Sequence, residues 1–161
     1  MYLQSLGLDI GTPLRVNADG NCLFKSISTL LYGHEDRARE LRVRICIQMC
    51  NNMDRYLSSP DAGNILLLSP TFEDACRDCA TDSAWSSVWS IMALADVIGH
   101  SIKTHYPPMY GKGHLAYHTL NTTYSPCEDE RTIAIMWTST QWGVKGLWIP
   151  NHFVPVSHTI Y

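Results

Sequence analysis

The stretch "NADGNCLFKSIS", residues 17–28, changes character at its centre. Asp19-Gly20-Asn21 is turn chemistry: glycine accepts a positive φ or a close backbone approach, and Asp and Asn side chains bond neighbouring amides. From Cys22 onward Leu23, Ile27, Leu30 and Leu31 recur at helical spacing until Gly33, which predicts a helix over 22–32. A cysteine at the first position of a helix lies at the end that stabilises a thiolate. The backbone N–H groups of Gly20, Asn21 and Cys22 are placed to converge on one point, where the oxyanion of an attacked carbonyl could sit. Taken alone, Cys22 reads first as buried core filler, the commonest fate of a free cysteine.

Outward from this stretch, a second helix is expected to begin near Glu35 and extend toward Leu57. Leu41, Ile45 and Met49 share its apolar face, and Arg37, Arg39, Arg42 and Arg44 form a solvated one. "SPTFEDACRDC" predicts a helix over 70–80, with Ser69 as cap, Pro70 at the first helical position and acids in the first turn. "AWSSVWSIMALADVI", residues 84–98, repeats at helical spacing through Trp85, Val88, Met92 and Ala95 and stops at Gly99. This is the helix expected to be most buried. Beyond it "SIKTHY", "TIAIMWT", "LWIP" and "HFVPV" are short, β-branched or aromatic segments separated by Gly, Pro and Asn, the texture of strands. Residues 107–130 read as a long loop with a brief strand near His118 to Tyr124. Helices first and strands later imply an α+β domain, its small, mainly antiparallel sheet packed on the Cys22 helix. No repeat or linker divides residues 1–161, which read as one domain.

The composition narrows the function classes. The chain has 161 residues, 45% of them hydrophobic and 17% charged, enough to bury a core without disulfides. A net charge of −3 without a sustained basic cluster makes nucleic acid a poor expectation as partner. The N-terminal residues lack the cationic start and apolar run of a signal peptide, and no stretch is long enough to span a bilayer; a reducing, intracellular setting is expected. Six cysteines are then expected to remain thiols.

A nucleophilic cysteine needs a base. His152 in "WIPNHFVPV" interrupts an apolar, strand-like run and lies 130 positions after Cys22. That is the order and approximate spacing of papain-like cysteine proteases. Together with the Asp-Gly-Asn turn, it shifts the reading of Cys22 from filler to nucleophile. "DGNCLFKSIS" resembles the Asp-Gly-Asn-Cys-Leu-Phe-Arg-Ala signature of the ovarian tumour (OTU) family of cysteine proteases, most of them deubiquitinases, with Lys25 and Ser26 standing where the family has Arg and Ala. "SAWSSVWSIMALADVIGHSI", residues 83–102, resembles the family's Trp-containing helix and following strand, and "NHFVPV" its terminal His-aromatic strand. Residues 106–126 are loosely similar to vertnin, a vertebrate protein with transposon-related relatives.

The resemblance implies a papain-like architecture of the OTU type. It makes Cys22 the nucleophile, His152 the general base and Asp19 the motif's acid, with Gly20, Asn21 and Cys22 supplying the oxyanion-hole backbone. It further implies a cysteine isopeptidase that removes ubiquitin or a ubiquitin-like modifier from lysine, with no cofactor. The alternative is a weak or inactive protein-binding module derived from the same fold. One departure stands out: many members carry Asp or Asn two residues after the histidine, and here that residue is Val154, which accepts no N–H bond. Asp19, Asn151, Asn17 and, more distantly, Asp9 are left as candidates to orient the ring.

Cys46 and Cys50, with Cys76 and Cys79, offer four thiols. Both pairs fall on amphipathic helices rather than on the knuckles typical of structural zinc, so packing is the expected role and no metal site is assigned. Cys127 reads as a loop thiol, and His105, His114 and His118 as loop polarity. Trp142, between Gln141 and Gly143, is the aromatic expected to wall a groove narrow enough for a Gly-Gly tail.

Overall fold

A computed structural model describes residues 11–66, 69–107, 119–126, 131–140 and 148–157. The elements run β1 (Thr12–Pro13), α1 (Cys22–Tyr32), α2 (Ala38–Asn51), α3 (Met53–Leu57), α4 (Ala62–Leu66), α5 (Phe72–Ala80), α6 (Val88–Ile98), β2 (Ser101–His105), β3 (Thr123–Tyr124), β4 (Thr132–Thr138) and β5 (His152–Ser157). Helix α1 has the bounds its spacing predicts and ends at Gly33, whose φ of 79° lets its N–H return to the Thr29 carbonyl. None of the helices among the described residues is long and apolar enough to cross a membrane.

Three helix boundaries differ from expectation, each for a local reason. The second helix stops at Asn52, whose side-chain amide and backbone N–H both bond the Gln48 carbonyl, and a separate short helix follows. α5 starts two residues later than Ser69 and Pro70 suggest. Thr71 is the cap: its hydroxyl accepts from the Asp74 N–H at 3.2 Å and donates to the Asp74 carboxylate at 2.9 Å, a reciprocal pair that closes the first turn. α6 begins at Val88, capped by extended Ser87, which leaves Trp85 outside the helix. The remainder of α6 is apolar almost all round and buries Val88, Trp89, Ile91, Ala93, Leu94 and Ala95.

The five strands form one sheet in the order β1-β5-β4-β2-β3. Three of the four pairings are antiparallel, as expected, but β2 and β4 are parallel, with Ser101 opposite Thr132 and His105 opposite Met136. A parallel pair needs a long crossover, and residues 106–131 provide it; β3, inside that crossover, pairs back on β2. The expected strand near His118 to Tyr124 is thus confined to Thr123–Tyr124, and His118 lies outside the described residues.

Helix α1 lies against β5, with the Ser26 hydroxyl donating to the Phe153 carbonyl. Leu23, Phe24, Ile27, Leu41, Ile45, Met49, Ile135, Trp137 and Phe153 join one continuous core. Tyr56, Phe72 and Trp89 extend it as an aromatic run, with centroids 5.8 and 5.3 Å apart. The resulting fold is α+β, as expected, with helices packed on a small sheet.

The cap assignment is directly measurable. Thr71→Ala should cost about 1 kcal/mol of unfolding free energy in urea, whereas Ser69→Ala should change it by less than about 0.5 kcal/mol; equal losses would place the cap elsewhere.

Candidate functional site

The loop before α1 is held by backbone demands that glycine alone meets. Gly20 has φ of 79°, and a Cβ there would lie 1.8 Å from the Ser83 carbonyl oxygen. Asp19 Oδ1 accepts the Asn21 N–H at 3.1 Å, and Asp19 Oδ2 is paired with Lys25, which also approaches Glu35 at 3.5 Å. Partial burial pushes the Asp19 pKa upward, but Lys25 and the Asn21 N–H outweigh it and hold the carboxyl below its ordinary value. The Asn21 side chain donates to Asp82 Oδ1 and Ser83 Oγ.

Arg42 corrects the expectation of a solvated arginine face on α2. Arg37 pairs with Glu40, and Arg39 and Arg44 are exposed, but Arg42 is only 5% exposed. Its Nε donates to Asn21 Oδ1 at 2.9 Å; Nη1 donates to the carbonyls of Asp78, Cys79 and Thr81 at 3.0, 3.2 and 2.8 Å; Nη2 donates to those of Gly20 and Ala84 at 2.9 and 2.8 Å. The guanidinium carbon stands 4.5 Å over the Phe24 ring. Asp78 and Cys79 occupy the last turn of α5, at the negative end of the helix dipole, where the Asp78 carbonyl also accepts the Thr81 N–H. One cation therefore closes α5 and fastens the Gly20-Asn21 loop. Burial lowers the Arg42 pKa, opposed by Cys79, Asp82, Cys22 and Asp19, and a guanidinium remains charged through such a shift.

Cys22 is the first residue of α1 and 2% exposed. Burial drives its pKa up; the backbone N–H groups of Phe153, Leu23 and Cys22 itself pull the other way, and the Asp19 charge adds to the rise. His152 opens β5 and is 7% exposed. Burial lowers its pKa, while the Val16 backbone and Asp19 oppose that. The Cys22 thiol lies against the backbone N–H of Phe153, the residue after His152 on β5. The Nδ1 of His152 has no hydrogen-bond partner among the described residues.

The candidate orienting groups are engaged elsewhere. Asp19 is committed to Lys25 and Asn21 and reaches His152 only as a charge. Asn151 turns its side chain to Thr140, accepting from the Thr140 N–H at 2.9 Å and donating to its hydroxyl at 3.0 Å. Asn17 is exposed, and Val154 packs with Ala134, Met136 and Val156. Asp9 lies outside the described residues, as do Trp142, His114, His118 and Cys127. The Asn21 N–H is occupied by Asp19, whereas the amide of Cys22, at the first helical position, has no intrahelical partner. Among the described residues no three His, Cys, Asp or Glu side chains gather as a metal site.

Sequence spacing had absorbed Trp85 into a helix. It instead lies across the head of β5: its Nε1–H donates to the Asn151 carbonyl at 3.0 Å, and its ring stacks on Phe153 at 5.9 Å, 20° from parallel. Both neighbours of His152 are thereby held. Trp85 is 36% exposed. Two consecutive serines before Val88 were the available signal that the helix starts later.

The model of the family described as "Vertnin, OTU domain" matches residues 13–71 and 61–138. Similar curated proteins include "OVARIAN TUMOR DOMAIN-containing deubiquitinating enzyme 7" of Arabidopsis thaliana, 30% identical over 64% of this chain and 25% of that protein. "Ubiquitin thioesterase otu2" of Schizosaccharomyces pombe is 32% identical over 58% of this chain and 31% of its own length. Vertnin of Mus musculus is 26% identical over 59% and 16%. The chain spans a third or less of these relatives. Among solved structures, "Structure of OTUD1 OTU domain" superposes with a TM-score of 0.62 at 18% identity, covering 98% of this chain and 90% of that one. "Structure of Ovarian Tumor (OTU) domain in complex with Ubiquitin" superposes at 0.59 and 16%, covering 91% and 69%.

Arg42→Met should destabilise the chain by about 3 kcal/mol or more, because it orphans buried carbonyls at once. Gly20→Ala should cost a comparable amount through strain and collision. Chemical denaturation reads both, and a loss under about 1 kcal/mol for Arg42→Met would show that the loop stands without it.

Proposed function

The chain belongs to the vertnin OTU-domain family, and we propose that it is a cysteine isopeptidase that releases ubiquitin or a ubiquitin-like modifier from lysine. The observation that carries this reading is the meeting of Cys22 at the head of α1 with the His152-Phe153 peptide at the head of β5. The substrate class is supported by the deubiquitinating relative, the ubiquitin thioesterase and the ubiquitin-bound OTU structure to which the chain is similar.

In the proposed reaction His152, neutral because burial lowers its pKa, accepts the Cys22 proton. The thiolate attacks the C-terminal glycine carbonyl of the modifier, and the developing oxyanion receives the Cys22 N–H. The tetrahedral adduct collapses, the lysine amine leaves with the proton held by His152, and water, deprotonated by the same ring, releases the modifier from sulfur. Trp85 is a positioning residue in this scheme: it holds the backbone on both sides of His152 in place of a side chain bonded to the ring.

A second reading is a protein-binding module of low activity. It is favoured by the lack, among the described residues, of a hydrogen-bond partner for the Nδ1 of His152 and by a thiol pKa that burial raises. A ubiquitin probe carrying a C-terminal alkyne separates the two. Intact protein should form an adduct that Cys22→Ala abolishes and His152→Ala slows by about 10²-fold or more; no adduct, with ubiquitin binding unchanged by Cys22→Ala, would establish the module.

The pH dependence follows from the two opposed shifts. With the thiol raised and the imidazole lowered, the neutral pair is the resting form at neutral pH, not a thiolate-imidazolium pair. Labelling should fall in acid as His152 takes up a proton, at a pH below the ordinary imidazole value, and keep climbing in base as the thiol ionises, at a pH above the ordinary cysteine value. A plateau extending down to about pH 5 would show a preformed ion pair.

A further inference from the structure

Four of the six cysteines lie away from Cys22, at the seam between α2 and α5. Cys46 and Cys50 are four apart on α2, Cys76 and Cys79 three apart on α5, and each spacing puts both thiols on one helix face. Across the seam Cys76 interacts with Cys50 and, less directly, with Cys46, while Cys46 adjoins Cys50 on its own helix and Cys79 on the other. With the Cys79 thiol at the Arg42 carbonyl, this is the order two helices running in opposite senses would give. The sulfurs form a string instead of converging on one point, in keeping with the lack of a metal-binding group among the described residues.

The members of the string differ in access. Cys79 is 2% exposed, and its thiol donates to the Arg42 carbonyl at 3.7 Å. Cys46 and Cys50 share one unbroken helix, in which bridging residues four apart would unwind a turn. Cys50 is exposed and Cys76 half-buried beside it, so this pair alone combines access with a neighbour across the seam.

We propose that Cys50 and Cys76 are an oxidation site, forming a reversible disulfide that ties α2 to α5 when the chain meets a peroxide. The Cys50 thiolate attacks one peroxide oxygen and becomes a sulfenic acid, the O–O bond breaks, and with hydrogen peroxide the other oxygen leaves as water. The Cys76 sulfur then displaces the hydroxyl from Cys50, which departs as a second water; two thiols lose two protons and two electrons, and the peroxide takes them up. Neighbouring thiols and, above all, burial push the Cys76 pKa up to about 11, so it reacts second, as a proton-bearing partner close to the sulfenic sulfur. The bridge closes across the two helices that Arg42 joins, and oxidation therefore clamps the shelf on which the Gly20-Asn21 loop rests.

The test treats the full chain, and separately its Cys22→Ala form, with hydrogen peroxide and maps proteolytic peptides without reductant. The expected result in both is a linked pair of peptides containing Cys50 and Cys76, released by dithiothreitol and accompanied by a rise in Tm. Cys50→Ser and Cys76→Ser should each remove the link and the Tm rise while retaining a native circular dichroism spectrum; Cys46→Ser should retain the link. A Cys46-Cys79 link, oxidation confined to Cys22, unlinked Cys50 in the folded wild-type chain, or a link surviving Cys50→Ser would each overturn the proposal.

Discussion

The guanidinium of Arg42 is the constraint on which the rest of the site depends. Removing a cation from water is expensive, and it is tolerated where enough oriented oxygens replace the solvent. Here those oxygens are five carbonyls and one amide, drawn from the loop before α1, the end of α5 and the segment that follows it. None of the three segments offers the others a regular hydrogen-bonding edge. Their mutual placement is set by the planar fork of one side chain, which a lysine could not reproduce. Gly20 is the counterpart of this arrangement, since its backbone must pass so close to Ser83 that no side chain fits between them.

The same packing determines the chemistry available to Cys22. A helix N-terminus and three nearby amides favour the thiolate, but burial dominates and leaves the thiol above its ordinary value. His152 is displaced in the opposite direction by the same cause. In the proposed reaction the pair transfers its proton when an acyl group arrives and holds no charge beforehand. Its alignment comes from the backbone: Trp85 grips Asn151 and covers Phe153, and Thr138 and Thr140 hold Asn151 from the other side.

Local signals in the chain proved legible where the relevant interactions are themselves local. The Cys22 helix ends where its apolar spacing and Gly33 place it, and "TIAIMWT" is the whole of β4. Non-local partners were not legible. Arg42 sits among three other arginines at similar spacing, and five of its six acceptors are backbone carbonyls 22 to 42 residues away, which carry no side-chain signature. Strand periodicity distinguishes faces but not neighbours, so the parallel pairing of β2 with β4 was hidden inside a run of apparent hairpins. Trp85 was misread because an aromatic at helical spacing from Val88 and Met92 looks the same whether the helix has begun or not.

The outermost pairing of the sheet joins the beginning of the described chain to its end, Thr12 with Ser157 and Pro13 with Val156. During synthesis these partners are separated by the full time needed to make the helices between them. A ribosome-bound chain can therefore complete α1, α2 and α5 while β4 and β5 have not yet left the exit tunnel. In that interval Cys22 lacks the Phe153 amide that later lies beside its thiol. The surroundings of Cys22 are thus completed only when β5 has emerged and joined the sheet, because the strand packed beside α1 is the last one made among the described residues.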